Sequence, residues 1–129
     1  MDERELADLP LFSALSKKDR ARVARWADEV DLQEGHHLLH EGAFPYEFYV
    51  ILDGEVLVTK DGTTLATLGR GEIVGEIAIL EHERRTATVV AATDVRVAVL
   101  TRRDFDAMRT ELPEVAVRIE ETARGRLSR

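Results

Sequence analysis

The stretch FYVILDGEVLVTKDGTTLATL, residues 48–68, decides the fold of this chain. It contains three runs of β-branched, aromatic and aliphatic residues, separated by Asp53-Gly54 and by Asp61-Gly62. Asp-Gly between two such runs is a strong hairpin signal, because the tight turn needs residues that tolerate a positive φ. The stretch therefore predicts consecutive antiparallel strands joined by two hairpin turns.

A second pair of short strands is expected downstream, at residues 86–90 and 95–100, around Thr93-Asp94. Seven of the eight glycines lie between positions 35 and 75, so turn residues are concentrated among the strands. Short strands with turn signals about every eight to twelve residues are typical of sandwiches, jelly rolls and barrels. We therefore expect a mainly β fold.

Helical patterns lie on both sides of this β region. On the N-terminal side, Ser16 can cap a helix because Asp19 follows three residues later. On the C-terminal side, Thr101 or Asp104 can cap a helix, and Pro113 suits the first turn of another. The β region is therefore expected to have helices at both ends.

The 129 residues fit a single domain, residues 1–129, and are long enough to bury a core. We expect N-terminal helices at 1–30, a β roll at 31–100 and C-terminal helices at 101–129. The 18 Lys and Arg residues against 25 Asp and Glu give a net charge of −7. A domain that binds nucleic acid usually carries a basic face, so no nucleic-acid partner is predicted. The absence of cysteine excludes disulfides, thiolate metal sites and a cysteine nucleophile.

The segment GEIAILEHERRTATV, residues 75–89, interrupts the strand pattern. Its first part favours a short helix entered directly from Gly75, where the backbone can approach a ligand closely. The first N–H groups of a helix favour an anion, and Arg84 or Arg85 could add a planar set of donors. Glu76 could accept from a sugar hydroxyl. The residues suit a pocket for an anionic sugar phosphate, although a short charged helix is also a common connector.

This segment resembles the phosphate-binding cassette of the cyclic-nucleotide-binding domain family. That cassette has Gly-Glu, an apolar residue, Ala and two apolar residues, then a short loop before Arg, a small residue, Ala and Thr-Val. This chain has GEIAIL at 75–80 and RTATV at 85–89. The resemblance continues in LPLF at 9–12 and in FYVILDGEV at 48–56. It implies a double-stranded β-helix, or jelly-roll β roll, with N-terminal helices, a short cassette helix and C-terminal helices.

The resemblance implies a phosphate site centred on Arg85, which the spacing favours over Arg84. The guanidinium would hold the exocyclic oxygens of the cyclic phosphate, together with the backbone N–H groups of Ile77, Ala78 and Thr86. Truncating one partner of a buried charge pair costs about 2–5 kcal/mol, or roughly thirty- to several-thousand-fold in affinity. Because a buried charge without a partner is costly, a carboxylate is expected to meet Arg85 when no phosphate is bound.

The resemblance also assigns the contacts to the sugar and the base. Glu76 and the backbone of Gly75 would hold the ribose 2′-hydroxyl, and Leu57 lies on the strand that packs against the base in the family. The ligand would be cAMP or cGMP, since Thr86 occurs in relatives with either preference, and no cofactor is implied. In the family the C-terminal helix, here 113–127, closes over the base.

The implied function is regulation by a cyclic nucleotide, without catalysis. No DNA-binding, channel or kinase segment follows the last helix within these residues, so we expect an effector protein, a homodimer through that helix, or output from sequence outside them. The opening MDERE is acidic, unlike a signal peptide, and no apolar run approaches the ~18 residues of a membrane span. The expected location is cytoplasmic, without membrane contact.

The residues also suggest three alternatives to this function. His36, His37 and His40 suggest a cupin-like metal site, but the His-x-His pattern with a downstream Glu and His is missing, so no metal is predicted. The three serines lack a His–Asp partner set, so no catalytic residue is predicted. A ligand-free domain of the same fold that binds a partner protein is the main alternative, and the intact cassette argues against it.

Overall fold

The computed structural model describes residues 1–43, 46–76, 85 and 87–127. Its helices are α1 (Arg4–Ala7), α2 (Lys17–Trp26), α3 (Arg102–Glu111) and α4 (Pro113–Leu127). Its strands are β1 (Asp28–Leu32), β2 (His37–Leu39), β3 (Glu47–Asp53), β4 (Val56–Lys60), β5 (Thr63–Leu68), β6 (Ile73–Val74), β7 (Thr88–Ala91) and β8 (Val95–Thr101).

These strands form two four-stranded antiparallel sheets. The first sheet has the order β1-β8-β3-β6 and the second has the order β2-β7-β4-β5. The helices precede and follow the strands in the chain, and α3 contacts both α4 and β8. The expected mainly β roll with helices at both ends is confirmed.

Strand β3 supplies both hydrophobic cores, because its successive side chains point to opposite faces of the first sheet. Phe48, Val50 and Leu52 pack against the helices, in a cluster that we call the helical core. Tyr49 and Ile51 pack between the two sheets, in a cluster that we call the inter-sheet core. Fully burying an aliphatic or aromatic side chain contributes about 1.5–3 kcal/mol, so β3 is a main source of stability.

The hairpin expected at Asp53-Gly54 is wrong. β3 pairs with β6 and β8, whereas β4 pairs with β5 and β7, so the chain crosses from the first sheet to the second at Gly54. β7 and β8, which were expected to pair, also lie in different sheets. The β3–β4 connection contacts the β7–β8 connection, since a Cβ on Gly54 would lie 2.4 Å from the carbonyl oxygen of Asp94. A glycine with positive φ turns the chain both in a hairpin and in a crossing between sheets. Packing of the core decides in which sheet the next strand pairs. The hairpin at Asp61-Gly62, between β4 and β5, is confirmed.

The boundary between the N-terminal helices and the β roll lies earlier than expected. Helix α2 begins after Ser16, whose side chain accepts from the backbone N–H of Asp19 at 3.1 Å, and it ends at Trp26. β1 begins at Asp28, inside the segment 1–30 that was expected to be helical. Its five residues all pair with β8, so strand pairing replaces the helix that was expected at this position.

The C-terminal helices are docked onto the body of the domain. Thr101, not Asp104, is the N-cap of α3, and Asp104 completes a capping box. Val115, Ala116 and Ile119 of α4 are buried in the helical core, and we call these side chains the apolar stripe of α4. No helix in the described ranges is long and apolar enough to cross a membrane.

The histidines near β2 do not assemble a metal centre in the described part of the chain, where no group of three or more potential ligands occurs. The rings of His37 and His40 stack with their centroids 5.0 Å apart.

Candidate functional site

The candidate site begins where β6 ends, at Gly75. Its φ is +88°, which an L side chain adopts only under strain. A Cβ at this position would lie 2.8 Å from Nη1 of Arg85, 3.3 Å from Cδ1 of Leu39 and 3.4 Å from the carbonyl oxygen of Glu47. Glycine is therefore required here by both the backbone conformation and the close approach of Arg85.

The main chain of Arg85 is fixed by the turn that follows β2. Its N–H donates to the carbonyl oxygen of Ala43 at 2.8 Å, and its carbonyl accepts from the N–H of Gly42 at 2.9 Å. The turn itself is closed by a bond from the N–H of Ala43 to the carbonyl of His40. This reciprocal pair of bonds aims the Arg85 side chain toward the end of β6.

The guanidinium of Arg85 joins two strands of the first sheet through their carbonyl groups. Nη1 donates to the carbonyl oxygen of Gly75 at 2.8 Å, and Nη2 donates to the carbonyl oxygen of Glu47. A carboxylate was expected in this place, and among the described residues main-chain oxygens take it instead. Two carbonyl dipoles satisfy the buried cation without neutralising its charge.

Glu76 follows Gly75 and is buried beside this arrangement. Among the described residues, the charged side chains that are buried are Glu76, at 1% exposure, and Arg85, at 6%. Burial lowers the pKa of Arg85, and the neighbouring Tyr49, Glu47 and Glu76 act in the opposite direction and raise it. Buried charges are costly and cluster at functional sites, so the pair marks a binding site better than it explains stability.

Two residues near Arg85 were missed by the sequence analysis. The hydroxyl of Tyr49 donates to Oε1 of Glu47 at 2.7 Å, and both residues belong to β3. Burial and the bond to the Glu47 carboxylate raise the pKa of Tyr49. The available signal in the sequence was their two-residue spacing, which places both side chains on one face of a strand. Their closeness to Arg85 could be seen only in the structure.

Leu57 does not lie on the face of β4 that points toward the inter-sheet core. Val56 is buried in that core and Val58 packs against it, so Leu57, between them, points away from it. Tyr49 belongs to the same core, and Leu39, which lies beside Gly75, does too. The expected contact of Leu57 with the base stays a prediction, and Val58 is the neighbouring residue of β4 that packs against the inter-sheet core.

The remaining residues assigned by the resemblance lie outside the described ranges. These are Ile77, Ala78 and Thr86, together with Arg84, the alternative to Arg85.

A separate groove of about 580 Å³ lies on the opposite side of β6. Ile73 lines it and belongs to the helical core, whereas the next residue, Val74, belongs to the inter-sheet core. The other lining residues come from the N-terminal turn, the loop before β6 and α4, and they are Pro10, Leu11, Arg70, Gly71, Glu72, Arg118, Glu121 and Thr122. The groove is therefore distinct from the site at Arg85.

Comparison with known proteins gives consistent results. The sequence matches the family described as "Cyclic nucleotide-binding domain" over residues 29–111. The cAMP-dependent protein kinase regulatory subunit of Aspergillus fumigatus is 33% identical over 126 residues, covering 96% of this chain and 30% of the relative. The chain thus spans less than a third of the length of that curated relative.

Two solved structures illustrate the similarity in fold. The catabolite activator protein of Thermus thermophilus superposes with a TM-score of 0.83 at 28% identity, covering 92% of this chain and 58% of that chain. The regulatory subunit of a cAMP-independent protein kinase A from Trypanosoma brucei has the same TM-score and identity, covering 94% of this chain and 45% of that chain. The family match, the sequence identity and the fold agree, and the chain belongs to the cyclic nucleotide-binding domain family.

Proposed function

We propose that this domain binds cAMP or cGMP and that binding regulates an effector. The observation that carries the proposal is the burial of two interacting charges, Arg85 and Glu76, near the end of β6. A cation that can hold a phosphate and a carboxylate that can accept from ribose hydroxyls are the two groups that a cyclic nucleotide requires. Both residues belong to the segment that resembles the phosphate-binding cassette.

The geometry of Arg85 is compatible with capture of an anion. A guanidinium has five N–H donors, and the bonds to Gly75 and Glu47 use two of them. Both bonds hold the planar group in a fixed orientation before any ligand arrives. A bound phosphate therefore gains charge-assisted hydrogen bonds with little loss of side-chain entropy.

The proposed role is regulatory and non-catalytic, with no resident cofactor. The kinase-related proteins similar to this chain are regulatory subunits by name. We infer that the output passes through α4, either to an effector protein or to a second copy of the chain. The apolar stripe of α4 already lies in the helical core, and Nη1 of Arg118 donates to the carbonyl oxygen of Pro10 at 2.8 Å. A partner that used this stripe would first have to undock α4.

Calorimetric titration with cAMP and with cGMP tests the proposal, with the linear nucleotide 5′-AMP as a specificity control. We expect saturable binding that Arg85→Ala weakens by roughly thirty- to several-thousand-fold, the cost of removing one partner of a buried charge pair. Arg70→Ala is a matched control, because Arg70 also donates to a main-chain carbonyl, that of Leu52, at 2.8 Å but lines the groove on the other side of β6.

The titration has a clear negative outcome. If the folded protein binds neither cyclic nucleotide, the proposed function is wrong, and a module that binds a partner protein through the same fold is favoured. Equal affinity for cAMP and 5′-AMP would contradict recognition of the cyclic phosphate.

A further inference from the structure

A tyrosine–glutamate pair lies beside Arg85 on the inner face of β3. The Tyr49 side chain is 7% exposed, and its hydroxyl donates to Oε1 of Glu47 at 2.7 Å. The carbonyl oxygen of Leu38 lies 3.3 Å from the same hydroxyl, on the opposite sheet. The phenol is thus held between β2 and β3, and the Glu47 carboxylate is bound to a group that cannot easily move.

Glu47 accepts hydrogen bonds from two neighbours through two different groups. Its main-chain carbonyl accepts from Nη2 of Arg85, while its carboxylate accepts from Tyr49. Because both groups belong to one residue, and because the Glu47 charge acts on Arg85, the carboxylate lies near the guanidinium. Among the ion pairs of the described residues, however, there is none between Arg85 and Glu47.

A carboxylate this close would compete with a phosphate for Arg85. Both are anions that accept hydrogen bonds from the planar guanidinium, and a direct carboxylate–arginine pair uses two donors at once. The Glu47 charge already influences both neighbours, since it raises the pKa of Tyr49 and that of Arg85. The bond to the phenol is what fixes the carboxylate in its present position.

We propose that Tyr49 is a positioning residue that holds the Glu47 carboxylate away from Arg85 and so reserves the guanidinium for the phosphate of the ligand. The proposal rests on the proposed function, because the ligand is the cyclic nucleotide inferred above. It predicts that loss of the phenol hydroxyl matters only while Glu47 carries a negative charge.

The test is a double-mutant cycle read by calorimetric titration with cAMP and cGMP. We expect Tyr49→Phe to weaken binding about ten-fold, which is the lower end of the effect of one hydrogen bond to a charged group. Glu47→Gln keeps the carbonyl that holds Arg85 but removes the competing charge, so its affinity should equal or exceed that of the wild type. The double variant E47Q/Y49F should bind like Glu47→Gln, within about two-fold, because no charged competitor remains. Tyr46→Phe is the control, since Tyr46 is 75% exposed in the same region of the chain.

A second measurement does not depend on nucleotide binding. Crystal structures of the wild type and of Tyr49→Phe, both without nucleotide, should show the Glu47 carboxylate paired with Arg85 in the variant alone. The proposal is overturned if the carboxylate stays away from Arg85 in the variant, or if the double variant binds as weakly as Tyr49→Phe, which would indicate a merely structural role. Should the wild type bind neither nucleotide, the proposed function fails, and the two nucleotide-free structures still decide whether Tyr49 restrains Glu47.

Discussion

Replacing Gly75 by alanine tests whether the end of β6 is shaped around Arg85. The new methyl group would lie 2.8 Å from Nη1 of Arg85, and the left-handed backbone, with φ at +88°, would itself cost about 1–2 kcal/mol of stability in alanine. Of the three groups in close contact, the guanidinium is the one that can move, because the others are a main-chain carbonyl and a packed leucine. Its displacement breaks the 2.8 Å bond to the Gly75 carbonyl. A hydrogen bond to a charged group contributes about 1.5–3 kcal/mol, so nucleotide affinity should fall roughly ten- to a hundred-fold.

Gly35→Ala separates the clash from the backbone strain. Gly35 also has a φ of +88°, but nothing lies within 4 Å of the position that its Cβ would occupy. Both variants should lose similar stability from strain in chemical denaturation, whereas calorimetric titration with cAMP or cGMP should show weaker binding in Gly75→Ala alone. Wild-type affinity in Gly75→Ala would refute the argument that this glycine makes room for Arg85. An equal loss of affinity in both variants would attribute the effect to backbone strain.

Further predictions concern stability and the base contact. Thr101→Ala removes one half of the capping box with Asp104 and should lower the free energy of unfolding by about 1 kcal/mol in urea denaturation. Because the pKa of Tyr49 is raised in the folded state, the folded protein keeps that proton as pH rises past the ordinary tyrosine pKa of about 10, where the unfolded chain loses it. The free energy of unfolding should therefore decrease above pH 10, and it should decrease less steeply in Tyr49→Phe. Val58→Ala should weaken nucleotide binding several-fold in titrations, whereas Leu57→Ala, on the other face of β4, should leave it within about two-fold.

Five of the eight described strands, β3, β4, β5, β7 and β8, could be predicted from the sequence, but their distribution between the two sheets could not. The pattern of residues 48–68 located β3, β4 and β5, and the turn at Asp61-Gly62 behaves as expected. At Gly54 the same dipeptide makes a corner, because β3 finds its partners in β6 and β8, which follow much later in the chain. Pairing between distant segments depends on how the whole core packs, and a local turn signal carries no information about it.

The site could be predicted in composition but not in its supporting contacts. The spacing of the motif identified Gly75, Glu76 and Arg85, and the structure brings these three together. The partners of Arg85 are carbonyl oxygens, which every residue possesses, so no sequence pattern could reveal that Glu47 supplies one of them. The choice between Leu57 and Val58 could not be made from the sequence, because a one-residue shift along a strand reverses the direction of the side chain, and only the structure shows that Val58 packs against the inter-sheet core.

Arg85 is also the point where separate segments of the β roll are tied together. Its main chain is bonded to the turn after β2, and its side chain to the start of β3 and the end of β6. β6 in turn contributes to both cores, since Val74 packs between the sheets and Ile73 packs in the helical core that also holds Ile119 of α4. A ligand that displaced the guanidinium would act on Gly75, and through two residues of β6 on the core against which α4 is packed. Interiors are close-packed and transmit small displacements, so we propose that a phosphate bound at Arg85 influences the C-terminal helix through β6.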